Sequence, residues 1–461
     1  MDIHPAAFSM LLKRRPVHIG TMSLLLASVM TLSACSWFSD DDKKTPLPGE
    51  RISILQLQTK LEPTDTELSG EGFVAPAPWV NEYWPQAGGY PNHTMQNPAF
   101  SSGEIKKLWS ADIGSGSTDE LPLIAQPVLY NGVIYTLDTD SEIRAFDAST
   151  GKKLWDRSVR PKHEDEDVIS GGLSVSGNIL FVTNGYREVL ALDLSTGKKI
   201  WKSELNSPSR SAPTIIGDSV YVLSVDNRVA AFSVRTGEKK WEYEGLSENA
   251  GIIGAASPAA NNDIVVAPLS SGELVALRVE NGSVAWSEDL SSYLSRGGSS
   301  SLPDISGLPV IDKDLVFGVN YSSKIVAIEQ RTGRRVWQRD IGSAKSPWVS
   351  GNSLFLVTSD YELVALGRDT GSLMWVKSLD SYINENERTE IPHNPLLWNG
   401  PVLAGGRLLL CAPNGTILVI NPETGEKTAQ FDSGGRVAVS PVIANETLYL
   451  LHENGTLSAW R

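Results

Sequence analysis

The chain has 461 residues, with 40 Lys+Arg against 54 Asp+Glu, a formal net charge of −14 and a pI near 5.0. That balance argues against nucleic-acid binding and against a basic membrane-docking face, since both need clustered positive charge. The two cysteines, Cys35 and Cys411, leave no disulfide framework to build a fold on.

Residues 1–34 read as a signal peptide. Lys13-Arg14-Arg15 form its charged region, and 19–32 is an apolar run of 14 residues, too short to cross a bilayer as a helix. Met10 is an alternative start, because the stretch ahead of the basic cluster is long. Leu32-Ser33-Ala34-Cys35 follows, small residues ahead of an acceptor thiol, which resembles a bacterial lipobox. The expectation is cleavage before Cys35 and lipid attachment to it, leaving a net charge of −16 once Asp2, Lys13, Arg14 and Arg15 are removed. Several acyl chains on one residue anchor stably where a single chain does not. The resemblance also implies outer-membrane sorting, since Ser36 rather than an aspartate follows the cysteine.

Residues 35–104 lack any repeat. The segment 39–50, SDDDKKTPLPGE, is charged and Pro-rich, the composition of a tether. The apolar residues of 52–63 and the stretch 82–100, EYWPQAGGYPNHTMQNPAF, predict an extended arm lying partly along the body that follows.

From residue 105 to 461 one eleven-residue pattern recurs. It stands as AFDASTGKKLW (145–155), ALDLSTGKKIW (191–201), AFSVRTGEKKW (231–241), ALRVENGSVAW (276–286), AIEQRTGRRVW (327–337), ALGRDTGSLMW (365–375) and, decayed, VINPETGEKTA (419–429). Its turn glycines are 38 to 54 residues apart, and short alternating strands fill each interval, the signature of propeller blades. In the copy 212–243 the order is strand, Gly217-Asp218 turn, strand, Asp226-Asn227 turn, strand, Thr236-Gly237 turn, strand. Most first strands open on proline (Pro127, Pro213, Pro258, Pro309, Pro347, Pro401, Pro441, with Ser174 the exception), which suits a strand start or an edge. Eight such openings predict an all-β, eight-bladed β-propeller of four-stranded antiparallel blades. The ring is expected to close where 105–113, a fourth strand without predecessors, pairs with the C-terminal strands, which lack a fourth. The once-per-period tryptophans (Trp109, Trp155, Trp201, Trp241, Trp286, Trp337, Trp375) read as packing between blades rather than as a binding box.

Chemistry-bearing motifs are sparse. Six histidines are scattered without metal-ligand spacing, His163–Asp167 reads as a solvated acidic loop, and Gly171-Gly172 and Gly297-Gly298 lack the strand-to-helix context of a phosphate cradle. Cys411, in the apolar strand RLLLC, reads as a small buried hydrophobe. Length variation collects after the fourth strands, where 10 to 26 residues separate the tryptophan position from the next strand opening. Insertions gathered on one face mark a binding face.

The A-x-D-x-x-T-G-K-x-x-W repeat resembles that of quinoprotein alcohol dehydrogenases, propellers that hold pyrroloquinoline quinone and calcium. The chain has neither their Cys-Cys pair nor a matching Glu, Asn and Asp cluster, so no cofactor and no enzymatic activity are expected. Lipobox, tether and quinoprotein-like propeller together resemble the BamB family, propeller lipoproteins of the outer-membrane β-barrel assembly (BAM) machinery. The resemblance implies a periplasm-facing, outer-membrane-anchored scaffold that binds the periplasmic domains of BamA, other BAM subunits and unfolded barrel precursors. It also implies partner contacts on two fourth-to-first-strand loops. One falls on 250–258, where Ile252 stands for a leucine, Ile253 takes an arginine position, and Gly254 and Pro258 match. The other falls on 302–310, where Asp304 matches an aspartate and Ser306 replaces a second. Ile252, Ile253 and Asp304 are thus expected either to form one patch, apolar at its centre with a charge at its edge, or, for the two isoleucines, to finish the blade core. The alternatives are a quinone- and calcium-dependent dehydrogenase or another periplasmic propeller module.

Overall fold

The computed structural model describes residues 72–246, 256–291, 304–322, 324–387, 389 and 391–461. They form eight four-stranded antiparallel sheets, and each sheet is one copy of the repeat. In blade 1 the strands are Val128–Tyr130, Val133–Leu137, Glu142–Asp147 and Lys153–Ser158, paired in that order. Blades 2 to 7 occupy 173–204, 214–244, 259–289, 310–339, 348–378 and 399–432. Blade 8 takes three strands from the C-terminus and its fourth, Lys107–Asp112, from the start of the repeat region. That strand pairs antiparallel with Thr456–Trp460, with Trp109 opposite Ala459. The expected ring closure is therefore the observed one.

The repeat pattern is explained at the joint between blades. The turn glycines of the repeat, six after threonine and Gly282 after Asn281, all adopt φ of +64° to +74°, a region where a Cβ is strained. A Cβ added at Gly151, Gly197, Gly237, Gly282, Gly333, Gly371 or Gly425 would come within 2.4–2.8 Å of the tryptophan of the preceding blade, Trp109 through Trp375 in order. Each indole thus lies flat against a turn that only glycine lets it reach. Six of the seven also donate their ring N–H across the joint: Trp109 to the Ala148 carbonyl, Trp201 to Val234, Trp241 to Val279, Trp286 to Gln330, Trp337 to Arg368 and Trp375 to Pro422, at 2.7–3.1 Å. In seven blades the residue facing the tryptophan position, Ala145 for example, begins a register shift that lets the fourth strand bulge.

The decayed copy now has a physical reason. Ala429 takes the tryptophan position of blade 7, and it faces blade 8, whose third and fourth strands no turn connects. With no turn glycine to receive it, an indole there has no docking surface, and Phe431 instead packs on Trp460 with ring centroids 5.1 Å apart.

The arm does more than lie along the body. Residues 79–100 run across one end of the central channel and bond the innermost strand of every blade. Trp84 exchanges both backbone hydrogen bonds with Leu129, and Val175 N–H donates to the Pro85 carbonyl. The Gln86 amide reads the Ile215 backbone as a neighbouring strand would, donating to its carbonyl and accepting from its N–H, both at 2.9 Å. Ala260 and Ile311 donate to the carbonyls of Pro91 and Asn92. Trp348 and Gly351 donate to Gln96, and Gly405 donates to Pro98. Asn81 donates to the Ile443 carbonyl and accepts from Asn445 N–H. Trp84, Met95 and Phe100 join the hydrophobic cluster shared by blades 7, 8 and 1. Eight inner strands present unpaired backbone edges, and the arm satisfies part of each.

Candidate binding face and channel

Described residues of the connections between fourth strands and the following first strands gather at the end of the channel opposite the arm. Of the expected partner-contact residues, only Asp304 lies within the described residues. Ile252 and Ile253 lie outside them, as does Cys35. Asp304 is only 6% exposed, and its carbonyl accepts from Tyr321 N–H. The next residue, Ile305, is buried in the hydrophobic cluster shared by blades 4 and 5, which draws the segment inward. The acidic loop is exposed as read from sequence, with Asp167 paired to Arg160 and the Glu166 carbonyl accepting from the Tyr186 hydroxyl at 2.8 Å.

Between these loops the channel opens as a cavity of about 420 Å³ to which all eight blades contribute, with Ala87 of the arm at its floor. Much of the wall is the residue just before the strand-opening proline: Gln126, Ala212, Ser257, Leu308, Ser346 and Ser440. Those side chains are mostly small, and the prolines remove backbone N–H donors at the same height. Sequence reasoning singled out the prolines as strand starts but missed that their predecessors ring the channel; the period-locked position was the available signal.

Charge in the cavity is uneven. Glu453 is its carboxylate, and it pairs with Arg436 at 3.4 Å. Lys345, at the entry to blade 6, and Arg210, at the entry to blade 3, line the same cavity, and neither has a carboxylate partner among the described residues. Lys345 Nζ donates to Asn399 Oδ1 at 3.1 Å, while the Asn399 amide nitrogen donates to the Val437 carbonyl. Burial lowers the Lys345 ammonium to about 8. The Cys411 thiol behind it is pushed up by burial and stays neutral, so it offers no counter-charge. Among the described residues no group of three or more His, Cys, Asp or Glu could hold a metal ion. Two cations and one already paired carboxylate do not match the oxygen donors that calcium takes, so the described wall does not fit the metal that quinoprotein propellers hold.

Repeat, ring closure and interblade Trp–Gly docking define the class of the protein: an eight-bladed propeller of the quinoprotein-repeat type. Its fold resembles BamB from Moraxella catarrhalis (TM-score 0.65, 20% identity, covering 78% of this chain and 100% of that one). It also resembles quinohemoprotein alcohol dehydrogenase from Comamonas testosteroni (TM-score 0.63, 13% identity, 82% and 80%). At such identities the likeness concerns the fold alone. A family profile described as outer membrane protein assembly factor BamB matches residues 139–377 and 362–460, and the chain belongs to that family. Relatives of the same name are 25% identical over 249 residues in Yersinia pestis (53% of this chain, 60% of theirs) and 28% over 206 residues in Escherichia coli K12 (44% and 49%). The matched segments thus span between about half and three fifths of those relatives' length.

Proposed function

We propose that the chain is a non-enzymatic scaffold subunit of the machinery that assembles outer-membrane β-barrel proteins. It is held at the periplasmic side of the outer membrane by lipid on Cys35 and binds BamA periplasmic domains through its fourth-to-first-strand loops. The observation that carries this reading is the family match over 139–460, which spans most of the propeller. The uneven loop lengths on one face support the placement of the partner. Residues 1–34 are proposed as the removed signal, 35–104 as the lipidated N-terminus, tether and arm, and 105–461 as the propeller. Residues 72–104 belong functionally with the propeller they bond. Among the described residues no helix is long and apolar enough to cross a membrane.

A pull-down of purified chain with BamA periplasmic domains tests the contact. Ile252→Glu with Ile253→Glu is expected to abolish binding with an unchanged circular-dichroism melt, because truncating or charging a buried anchor costs roughly 2 kcal/mol or more. Asp304→Ala, being buried, is expected to lower the melting temperature and weaken binding only modestly. A stable double variant that binds as tightly as the parent chain refutes the patch.

A further inference from the structure

The channel cavity carries chemistry that scaffolding leaves unused. Ser306 is among the residues lining it, and its hydroxyl oxygen is buried just behind the surface without a hydrogen-bond partner among the described residues. An orphaned buried hydroxyl is costly, and such a group points to a missing partner. The next residue, Gly307, is pressed on the Lys345 carbonyl, where a Cβ would come within 2.6 Å, and Leu308 N–H donates to the Ser346 hydroxyl at 2.8 Å. The entry segments of blades 5 and 6 are therefore locked together, with Ser306 on one and Lys345 on the other. Arg210 reaches the same cavity from blade 3.

We propose that the channel is a binding site for a carboxylate-bearing ligand, its anionic group taken by Lys345 and the Ser306 hydroxyl, with Arg210 as a second anchor for a second negative charge. Lys345 now has only a neutral amide acceptor, so an incoming carboxylate gains a charge-assisted hydrogen bond. The wall favours a carboxylate over a phosphate. Phosphate cradles gather several backbone N–H groups, and here prolines remove backbone donors at this height. The arm at the floor makes the site a pocket open from the loop face. This inference does not depend on the assembly-scaffold reading, and either can fail without the other.

Calorimetric titration of the full chain tests it with glutarate, with a pentapeptide ending in a free carboxylate, and with the same peptide amidated. Saturable binding of glutarate alone indicates a small organic acid, and binding of the free-carboxylate peptide alone indicates a chain end. Lys345→Gln is expected to weaken binding roughly tenfold or more, the usual scale for a lost charge-assisted contact. Ser306→Ala and Arg210→Gln are each expected to weaken it severalfold, with melts close to the parent's. Arg210→Gln keeps the test decisive should Lys345→Gln misfold. Absence of saturable binding by both probes overturns the proposal. So does equal binding of the amidated and free peptides with no binding of glutarate, unchanged affinity in the well-folded variants, or displacement of the bound probe by inorganic phosphate at equal concentration.

Discussion

Gly282 and Trp241 show why the Thr-Gly…Trp pattern recurs. At φ +72° a Cβ on Gly282 is strained, and it would meet Trp241 Cε3 at 2.4 Å. Gly282→Ala is therefore expected to destabilise the fold by roughly 1–3 kcal/mol through backbone strain and displacement of the ring. A urea melt measures it, and an unchanged midpoint contradicts this account of the joint. His93 gives a pH dependence. It is buried in the arm with its Nδ1–H donated to the Pro309 carbonyl at 2.7 Å, and burial lowers it to about 4. The unfolded chain, titrating near 6.5, binds the proton first. Stability present above pH 6.5 is thus lost as pH falls toward 4, by up to about 3 kcal/mol. Glu362 runs the other way: burial raises it to about 7, so its contribution is lost as pH rises from its ordinary 4.5 through 7. Melts between pH 4 and 7 in a Glu362→Gln background remove that opposing slope, and His93→Gln is expected to reduce the slope that remains, to which His452, also lowered by burial, adds in the same direction.

The arm is the element on which the propeller's inner edge depends. Its hydrogen bonds reach all eight first strands, and Trp84 is 1% exposed. Removing residues 72–100 would strand buried donors and acceptors and empty the volume filled by Trp84 and Met95, each loss worth one to several kcal/mol. The expectation is a large fall in melting temperature. Hydrogen exchange should also become fast at the Leu129, Val175, Ala260, Ile311 and Gly405 amides. A deletion variant with parent-like melting and protection contradicts the assigned role. Blades were legible in sequence because the period repeats turn, strand and tryptophan in register, and blade 8 because its two fragments complement each other. The arm's path was not legible. Its contacts run through single residues such as Gln86, Asn92 and Gln96, which carry no strand periodicity and whose partners lie up to several hundred residues away. The channel cavity stayed hidden for the same reason: Lys345, Ser306 and Arg210 come from three blades and line one cavity only when the ring closes.

For the whole molecule, the fold supplies a rigid ring with one end occupied by its own arm and the other surrounded by loops of uneven length. Cys35→Ala is expected to release the protein from outer-membrane fractions into the soluble periplasm, and unchanged fractionation with the complex partners absent refutes anchoring through that residue. The central claim is membership of the barrel-assembly machinery. It is tested most directly by affinity purification of the native chain from detergent-solubilised envelopes, with mass spectrometry of what accompanies it. The account predicts that BamA and other assembly subunits co-purify stoichiometrically; recovery of the intact, lipidated chain with none of them would contradict it.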